Sequence, residues 1–291
     1  MTAAPVSALP LCPPRPRLLI ARRLVQALCL GLFLSGPWAG LWITKGTLAS
    51  SLTLGVLPLT DPLIALQSLL AHHRLSATAT LGAGIVTLFY ALLRGRAFCS
   101  WVCPINPLTD AAAALRRKLG WQERVLLLPR SVRLWILAAI LGLSAASGTL
   151  VWELINPITM LHRDLVFPGI WLLGWPALVP LLVFLVDLLG GARLWCGHLC
   201  PVGAFYGLLG RWSLLQIRTP HRDRCDQCRA CYRVCPEPHV LSPALKGATR
   251  GHPPVIRAAD CTLCGRCIDV CAPQVFTIAP RFAALPHPRK D

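Results

Sequence analysis

Two tandem cysteine runs constrain this chain more than any other feature. Residues 225–236 read Cys225-x2-Cys228-x2-Cys231-x3-Cys235-Pro236, and residues 261–271 read Cys261-x2-Cys264-x2-Cys267-x3-Cys271. This is the bacterial spacing of [4Fe–4S] ligands. Gaps of two let three successive thiolates close around one cluster, and soft, sulfide-bridged iron selects thiolate. After the longer gap the fourth cysteine reaches the neighbouring cluster. The spacing therefore assigns Cys225, Cys228, Cys231 and Cys271 to one cluster, and Cys261, Cys264, Cys267 and Cys235 to the other. Structural zinc rarely comes as two such runs, and disulfide frameworks belong to small secreted domains. A small α+β, bacterial-ferredoxin-like domain with two [4Fe–4S] clusters is expected over residues 216–282, with Ser242 to Val255 as the connection between its motifs.

The remainder of the chain is of another kind. The 291 residues are 55% hydrophobic and only 14% charged, with a mean hydropathy of +0.57. A soluble domain carries about 25% charged residues, so the balance points to membrane spans. Four apolar stretches qualify: Leu24–Ile43, Leu75–Leu93, Val132–Trp152 and Ile170–Leu189. Each has the roughly 20 residues that cross a hydrocarbon core of about 30 Å. Arg15, Arg17, Arg22 and Arg23 ahead of the first resemble a signal-peptide leader, but the apolar run is too long and no clean small-x-small cleavage site follows. It reads as a retained anchor. The expected fold is a membrane all-α bundle of four transmembrane helices over residues 24–215, after a tail of residues 1–23 and before the ferredoxin-like domain and a last tail of residues 283–291.

The net charge of +17 follows the membrane rather than a nucleic acid. Lys and Arg number 4 up to Arg23, 2 from Thr44 to Arg74, 8 from Arg94 to Arg133, 1 from Glu153 to Gly169 and 14 after Gly190. That alternation is the positive-inside pattern, and the short loops carry it. Both termini, the middle loop and the cluster cysteines are expected in the cytoplasm of a multi-pass protein of the bacterial inner membrane. Reducing conditions there suit thiolates. No basic stretch is interleaved with aromatics in the manner of single-strand binders, so nucleic acid is excluded as a partner.

An internal repeat follows spans two and four. Arg96-Ala-Phe-Cys99-Ser-Trp-Val-Cys103-Pro104-Ile105 is echoed by Arg193-Leu-Trp-Cys196-Gly-His-Leu-Cys200-Pro201-Val202. A gap of three puts both sulfurs of a pair on one helical face, and the proline limits helix beyond it. His198 lies inside its pair, so neither is a haem-attachment site. Cys99, Cys103, Cys196 and Cys200 are redox-active thiols, four ligands of a further metal site, or small buried residues; the residues leave these open. Duplicated membrane cores often carry their site at the repeat interface. Arg96 and Arg193 read either as anchors at span ends or as charges that lower a thiol pKa.

Several motifs together resemble the NapH/MauN-like family of ferredoxin-type membrane proteins. They are Leu34-Ser-Gly-Pro-Trp38, Pro58-Leu-Thr-Asp-Pro62, Phe98-Cys-Ser-Trp-Val-Cys-Pro104, Ile155-Asn-Pro157, Trp195-Cys-Gly-His-Leu-Cys-Pro-Val-Gly-Ala204 and Cys235-Pro-Glu-Pro-His-Val-Leu241. They run in the family's order from about Arg22 to Phe282. The cysteine pairs narrow the match to the NapH, MauN, NosR and CcoG-like group, and the last motif favours NapH. Ala272-Pro273 after Cys271 displaces a proline by one and leaves every ligand in place. The resemblance implies an electron-transfer component of a quinol dehydrogenase, not a stand-alone enzyme. Membrane quinol is the implied donor, and the electrons go toward a periplasmic nitrate reductase. A NapG-like periplasmic iron–sulfur protein is the implied partner, with a NapC-type cytochrome as a further one. The relatives also imply an alternative, metal-centre maturation or redox sensing.

Quinol oxidation releases protons as well as electrons. Glu153, His162 and Asp164 in one outer loop, and Asp61, His72 and His73 in the other, are acceptors by position, although each singly is expected to be a solvated loop residue. Asp187 lies inside the fourth span, where carboxylates are functional or paired; Arg193 is within reach as its partner. Pro58 and Pro62 interrupt Leu48–His72, which is expected to be interfacial or re-entrant. Cys12 and Cys29 fit no spacing and read as a tail residue and a span residue.

Overall fold

The computed structural model describes residues 16–121, 128–167 and 174–283. Its N-terminal part begins with helix α1 (Arg17–Ala39), which ends where Gly40 turns left-handed at φ 70°. Three short strands follow, β1 (Thr44–Gly46), β2 (Ser50–Thr53) and β3 (Leu57–Thr60), then α2 (Pro62–His72) and α3 (Ala77–Leu93). The first cysteine pair is carried by α4 (Ala97–Trp101) and the turn after it, before α5 (Ile105–Lys118) and α6 (Val132–Ser147). Helix α7 (Pro157–Val166) precedes α8 (Trp175–Leu185), which runs on through a π-turn at Val186–Gly190. A second π-turn, Trp195–Leu199, carries the second pair into α9 (Pro201–Leu209).

The C-terminal unit is closed by an antiparallel ribbon of β4 (Leu215–Arg218) and β5 (Thr277–Pro280), in the register Ile217 opposite Ile278. Between them lie α10 (Ala230–Val234), α11 (Leu241–Lys246) and α12 (Arg266–Asp269). Ile217, Val240, Leu241, Ala244, Ile256, Val275 and Phe276 form its buried core together with cysteines of both runs.

One expectation is met only in part, and another changes. First, α1 alone among the described residues is long and apolar enough to cross a membrane. Ala77–Leu93, Val132–Ser147 and Trp175–Gly190 are apolar but reach at most 17 residues, about 25 Å of helix against a core of about 30 Å. Ser76 caps the start of α3, and a left-handed Gly148 stops α6 short of Trp152; residues 170–173 of the fourth stretch lie outside the described residues. Second, the bundle is not all-α. The segment from Thr44 to Thr60 is a β-meander, β1–β2–β3, whose last turn places Leu54 and Gly55 at φ 54° and 73°. Positive φ at successive turn residues matches the twist of paired strands. At Gly46 (φ 112°) an added Cβ would stand 2.3 Å from the Ser50 carbonyl oxygen, so only glycine serves there.

The meander and α2 enter the bundle rather than lie on it. Asp61 N–H donates to Ala49 O (2.8 Å), and Gly82 of α3 packs against Pro58 and Thr60. Leu63 and Ile64 join Tyr90, Phe98, Leu137, Ile140, Trp152, Val202 and Tyr206 in one core. Helix α2, about 16 Å long, therefore starts deep in the bundle, and Ala71 reaches Gly148 at the end of α6.

The start of α1, the end of α3 and the start of α6 all meet the C-terminal unit, and Arg193 reaches it after α8. No side chain of α1 caps its own start; Asp269 of α12 accepts from Leu18 N–H (3.2 Å) and Leu19 N–H (3.0 Å) instead. A carboxylate there satisfies free helix donors and opposes the helix dipole.

Candidate iron–sulfur and thiol sites

The two C-terminal cysteine runs repeat one backbone. Gln227 and Arg229 flank Cys228 at φ 57°, and Leu263 and Gly265 flank Cys264 at φ 52° and 70°. Left-handed residues beside the second cysteine bend the loop into a concavity that turns N–H groups inward, an arrangement that suits an anionic guest. Three of the four are not glycine, and such strain is retained where surrounding structure demands it.

Cys225, Cys228, Cys231 and Cys271 line one cavity of about 360 Å³, with Arg222, Arg229 and Lys246 at its wall. Val275 N–H points at Cys271 Sγ (3.4 Å). Burial, then the charges of Cys225, Cys228 and Cys271, push the Cys231 thiol up to about 12. Cys261, Cys264 and Cys267 are buried, and Cys267 is raised by burial and then by Cys264, Cys261 and Cys235. Thiolates gathered in apolar surroundings need a cationic centre to compensate them. The donor set, the cavity and the inward N–H groups fit [4Fe–4S] clusters. All thirteen described cysteines are free, and among the described residues no group of three or more His, Cys, Asp or Glu is placed to hold a metal ion. Thiols drawn round one ion stand closer together than thiols that each bind a different iron of a cluster.

The duplicated pairs converge. Electrostatic coupling links Cys103 to Cys99 and Cys200, and Cys196 to all three. They do not share a helical face, as the gap of three led one to expect. Helix α4 ends before Cys103, and Cys200 is extended. Cys103 N–H donates to Phe98 O (3.0 Å) and Cys200 N–H to Trp195 O (2.9 Å), five residues back in each case. The proline that follows forbids continued helix, and the wider turn re-aims the second sulfur. Burial pushes Cys200 up to about 12; it raises Cys99 too, against the opposing charge and hydrogen bond of Arg96.

The loop of the first pair touches the second ferredoxin motif directly. Ser100 Oγ donates to Thr262 O (2.6 Å) and Trp101 Nε1 to Leu263 O (3.0 Å), so residues between Cys99 and Cys103 bond residues between Cys261 and Cys264. Arg94 donates to Cys261 O (3.3 Å). Arg96, 1% exposed, donates to Cys196 O (3.0 Å), Asp260 O (2.9 Å) and Glu237 Oε1 (2.9 Å). Arg193 donates to Val234 O (2.9 Å) and pairs with Asp110 (3.4 Å), which also holds Arg266 (2.5 Å) and Arg23. Arg96 and Arg193 are thus tied into the C-terminal unit, and the charge of Arg96 opposes the rise at Cys99. Asp187, expected beside Arg193, is fully buried and accepts Trp195 N–H (2.7 Å), capping the turn into the second pair.

Of the six outer-loop acceptors, His72 and His73 are exposed as expected. Asp61 and His162 are buried instead, and His162 packs edge-on against Phe33 at 6.0 Å. Asp61 and Asn156 reveal more of the duplication. Asp61 Oδ1 accepts Leu63 N–H (2.9 Å) and Asn156 Oδ1 accepts Ile158 N–H (3.1 Å), each capping a helix that opens on proline. The Asx-Pro caps precede Cys99 and Cys196 by 38 and 40 residues, a spacing visible in the sequence and not drawn from it above. Glu237, the carboxylate on which Arg96, Arg130 and Arg133 converge, had no sequence signal beyond its motif.

Burial lifts Asp61 from its ordinary 3.8 to about 7, the Leu63 N–H opposing and Glu153 adding to the rise. The folded value exceeds the unfolded one, so this group's contribution is fully present below about pH 4 and is lost as pH rises through 7. Asp61→Asn keeps the cap, and is expected to remove a penalty of about 4 kcal/mol at pH 8 and under about 1 kcal/mol at pH 4. Thermal unfolding at both pH values checks this; an equal shift at both would place the effect elsewhere.

A family described as "4Fe-4S binding domain" matches residues 76–122 and again 168–220, one match around each cysteine pair. A "4Fe-4S dicluster domain" matches residues 224–275. The ferredoxin-type protein NapH of Escherichia coli (strain K12) is 47% identical over 269 residues, covering 92% of this chain and 91% of that one. The methylamine utilization ferredoxin-type protein MauN of Paracoccus denitrificans is 50% identical, covering 90% of each chain. The chain belongs to the NapH/MauN family. NapH of Haemophilus influenzae is 48% identical over 91% of each chain, so identity separates NapH from MauN no further. No solved structure matches. As a NapH/MauN-like protein it is a ferredoxin-type iron–sulfur electron-transfer protein, and the twofold match to its N-terminal part is the duplication seen in the structure.

Proposed function

We propose that the protein is the membrane iron–sulfur subunit of a quinol dehydrogenase, passing electrons from quinol, with a NapG-like partner, toward a periplasmic nitrate reductase. It spans the inner membrane four times, with the ferredoxin unit and both termini in the cytoplasm. Two [4Fe–4S] clusters, held by Cys225, Cys228, Cys231 and Cys271 and by Cys261, Cys264, Cys267 and Cys235, supply one-electron transfer. The observation that carries this reading is the direct bonding of the Cys99–Cys103 loop to the Cys261–Cys264 loop. It sets the thiols of the bundle interior beside Cys261, Cys264 and Cys267, which are buried, while Cys225, Cys228, Cys231 and Cys271 line the more open cavity. Arg94 and Arg96 add hydrogen bonds to Cys261 O and Asp260 O beside those of Ser100 and Trp101.

Electron paramagnetic resonance of the purified protein, before and after a quinol analogue, with iron quantified on the same sample, tests the proposal. About eight irons and a cluster signal that grows with quinol are expected; about twelve would assign the paired thiols to a further cluster. The equal likeness to MauN favours one second reading, a maturation or sensing role for the pairs. Clusters silent to quinol, with copper or iron bound by Cys99, Cys103, Cys196 and Cys200, would select it.

A further inference from the structure

An open cleft of about 560 Å³ lies at the end of the bundle away from the ferredoxin unit, with Leu150, Glu153, Leu154, Met160, Arg163 and Trp175 in its wall. Trp175 Nε1 donates to Leu154 O (2.9 Å), which ties the rim of α8 to the turn before α7. Glu153 is oriented from behind, its Oε2 accepting from Asn156 Nδ2 (3.2 Å). Its charge bears in turn on Asp61, the cap of α2.

The file continues inward. Tyr206 stands within electrostatic reach of Asp61 on one side and of Cys99 and Cys103 on the other. It stacks on Phe98 at 4.9 Å and meets Tyr90 edge-on at 5.3 Å. Polar groups are costly in such a core, yet these lead from the cleft to the paired thiols. Leu154 and Trp175 at the rim are 61% and 56% exposed, so the opening is itself apolar.

We propose that this cleft receives the head group of an isoprenoid hydroquinone, with Glu153 accepting a hydrogen bond from one ring hydroxyl and the tail leaving over Leu154 and Trp175. The site rests on the quinol reading above. A flat, apolar ring with a hydroxyl at its edge matches a largely apolar wall that carries one carboxylate, Glu153, and one guanidinium, Arg163. A phospholipid phosphate would meet the Glu153 carboxylate as well as Arg163, and an acyl chain has no use for either charge.

Full-length protein in detergent is titrated with decylubiquinol and separately labelled with an azidoquinone. Labelled peptides from residues 149–163 or 175–185 are expected. Glu153→Gln is expected to weaken decylubiquinol binding about tenfold, and Leu150→Trp to abolish labelling by filling the cleft. Both variants should keep the wild-type cluster signal after dithionite reduction, which reports folding independently of quinol. Unchanged binding in Glu153→Gln, or label on other peptides, overturns the cleft and leaves the quinol reading standing. Label displaced by added phospholipid alone also overturns it, since the cleft is then a lipid seat. Wild-type protein that neither binds decylubiquinol nor is reduced by it removes the quinol reading and the site together.

Discussion

Replacing Glu237 by alanine is expected to destabilise the protein by about 3–5 kcal/mol, because it strands buried positive charge. Glu237 is 1% exposed and faces Arg96 at 2.9 Å, Arg130 at 3.2 Å and Arg133 at 3.6 Å, with His239 at 3.6 Å. Arg96 is equally buried, and among the described residues it has only Asp260 (3.8 Å) as a second carboxylate, one that Arg133 already bonds. An intact buried pair contributes little net stability, but a lone guanidinium in its place is costly. Because Arg96 and Arg133 belong to the N-terminal bundle and Glu237 to the C-terminal unit, the loss should appear as separation of the two. Faster hydrogen exchange around Ser213 and Thr262, with a lower unfolding temperature, is the expected signature. Exchange and unfolding like wild type would mean that Asp260 carries the charge alone.

The double substitution Cys99→Ala with Cys103→Ala is expected to slow quinol-driven cluster reduction by at least about a hundredfold, nearly 3 kcal/mol in barrier. Both side chains lie in the bundle core, against Tyr90 and Phe98, and outside the C-terminal unit. The dithionite-reduced cluster spectrum should therefore persist. That combination separates a lost route from a lost cofactor. Normal turnover in the double variant would return the pair to the role of small buried residues, for which alanine is a fair substitute.

Local spacing made much of this protein readable. Gaps of two and three between cysteines marked an iron–sulfur protein, because cluster ligation is satisfied within a few residues of chain. The two Cys-x3-Cys-Pro segments announced a duplication for the same reason, and the order of the motifs pointed to the NapH/MauN family. The β-meander from Thr44 to Thr60 was less readable. Its strands are three or four residues long, too short for an alternating pattern to stand out in an apolar stretch. The ends of α3 and α6 were overextended, since hydropathy changes slowly along the chain while Ser76 and Gly148 act at single positions.

Long-range pairing belonged to the fold. Arg96 looks like a residue at the end of a span, and only folding brings Glu237, 141 residues away, against it. Asp61 looks like a solvated loop carboxylate until β3 and α2 carry it beneath Tyr90 and Tyr206. Asp187 looks like half of an ion pair until the π-turn presents the Trp195 N–H to it at 2.7 Å. Residue type and spacing govern ligation, capping and hydropathy because those are settled within one or two turns of backbone. Charge pairing and burial depend on which distant surfaces meet, and those contacts set the environments of Asp61, Arg96, Glu237 and the four paired thiols.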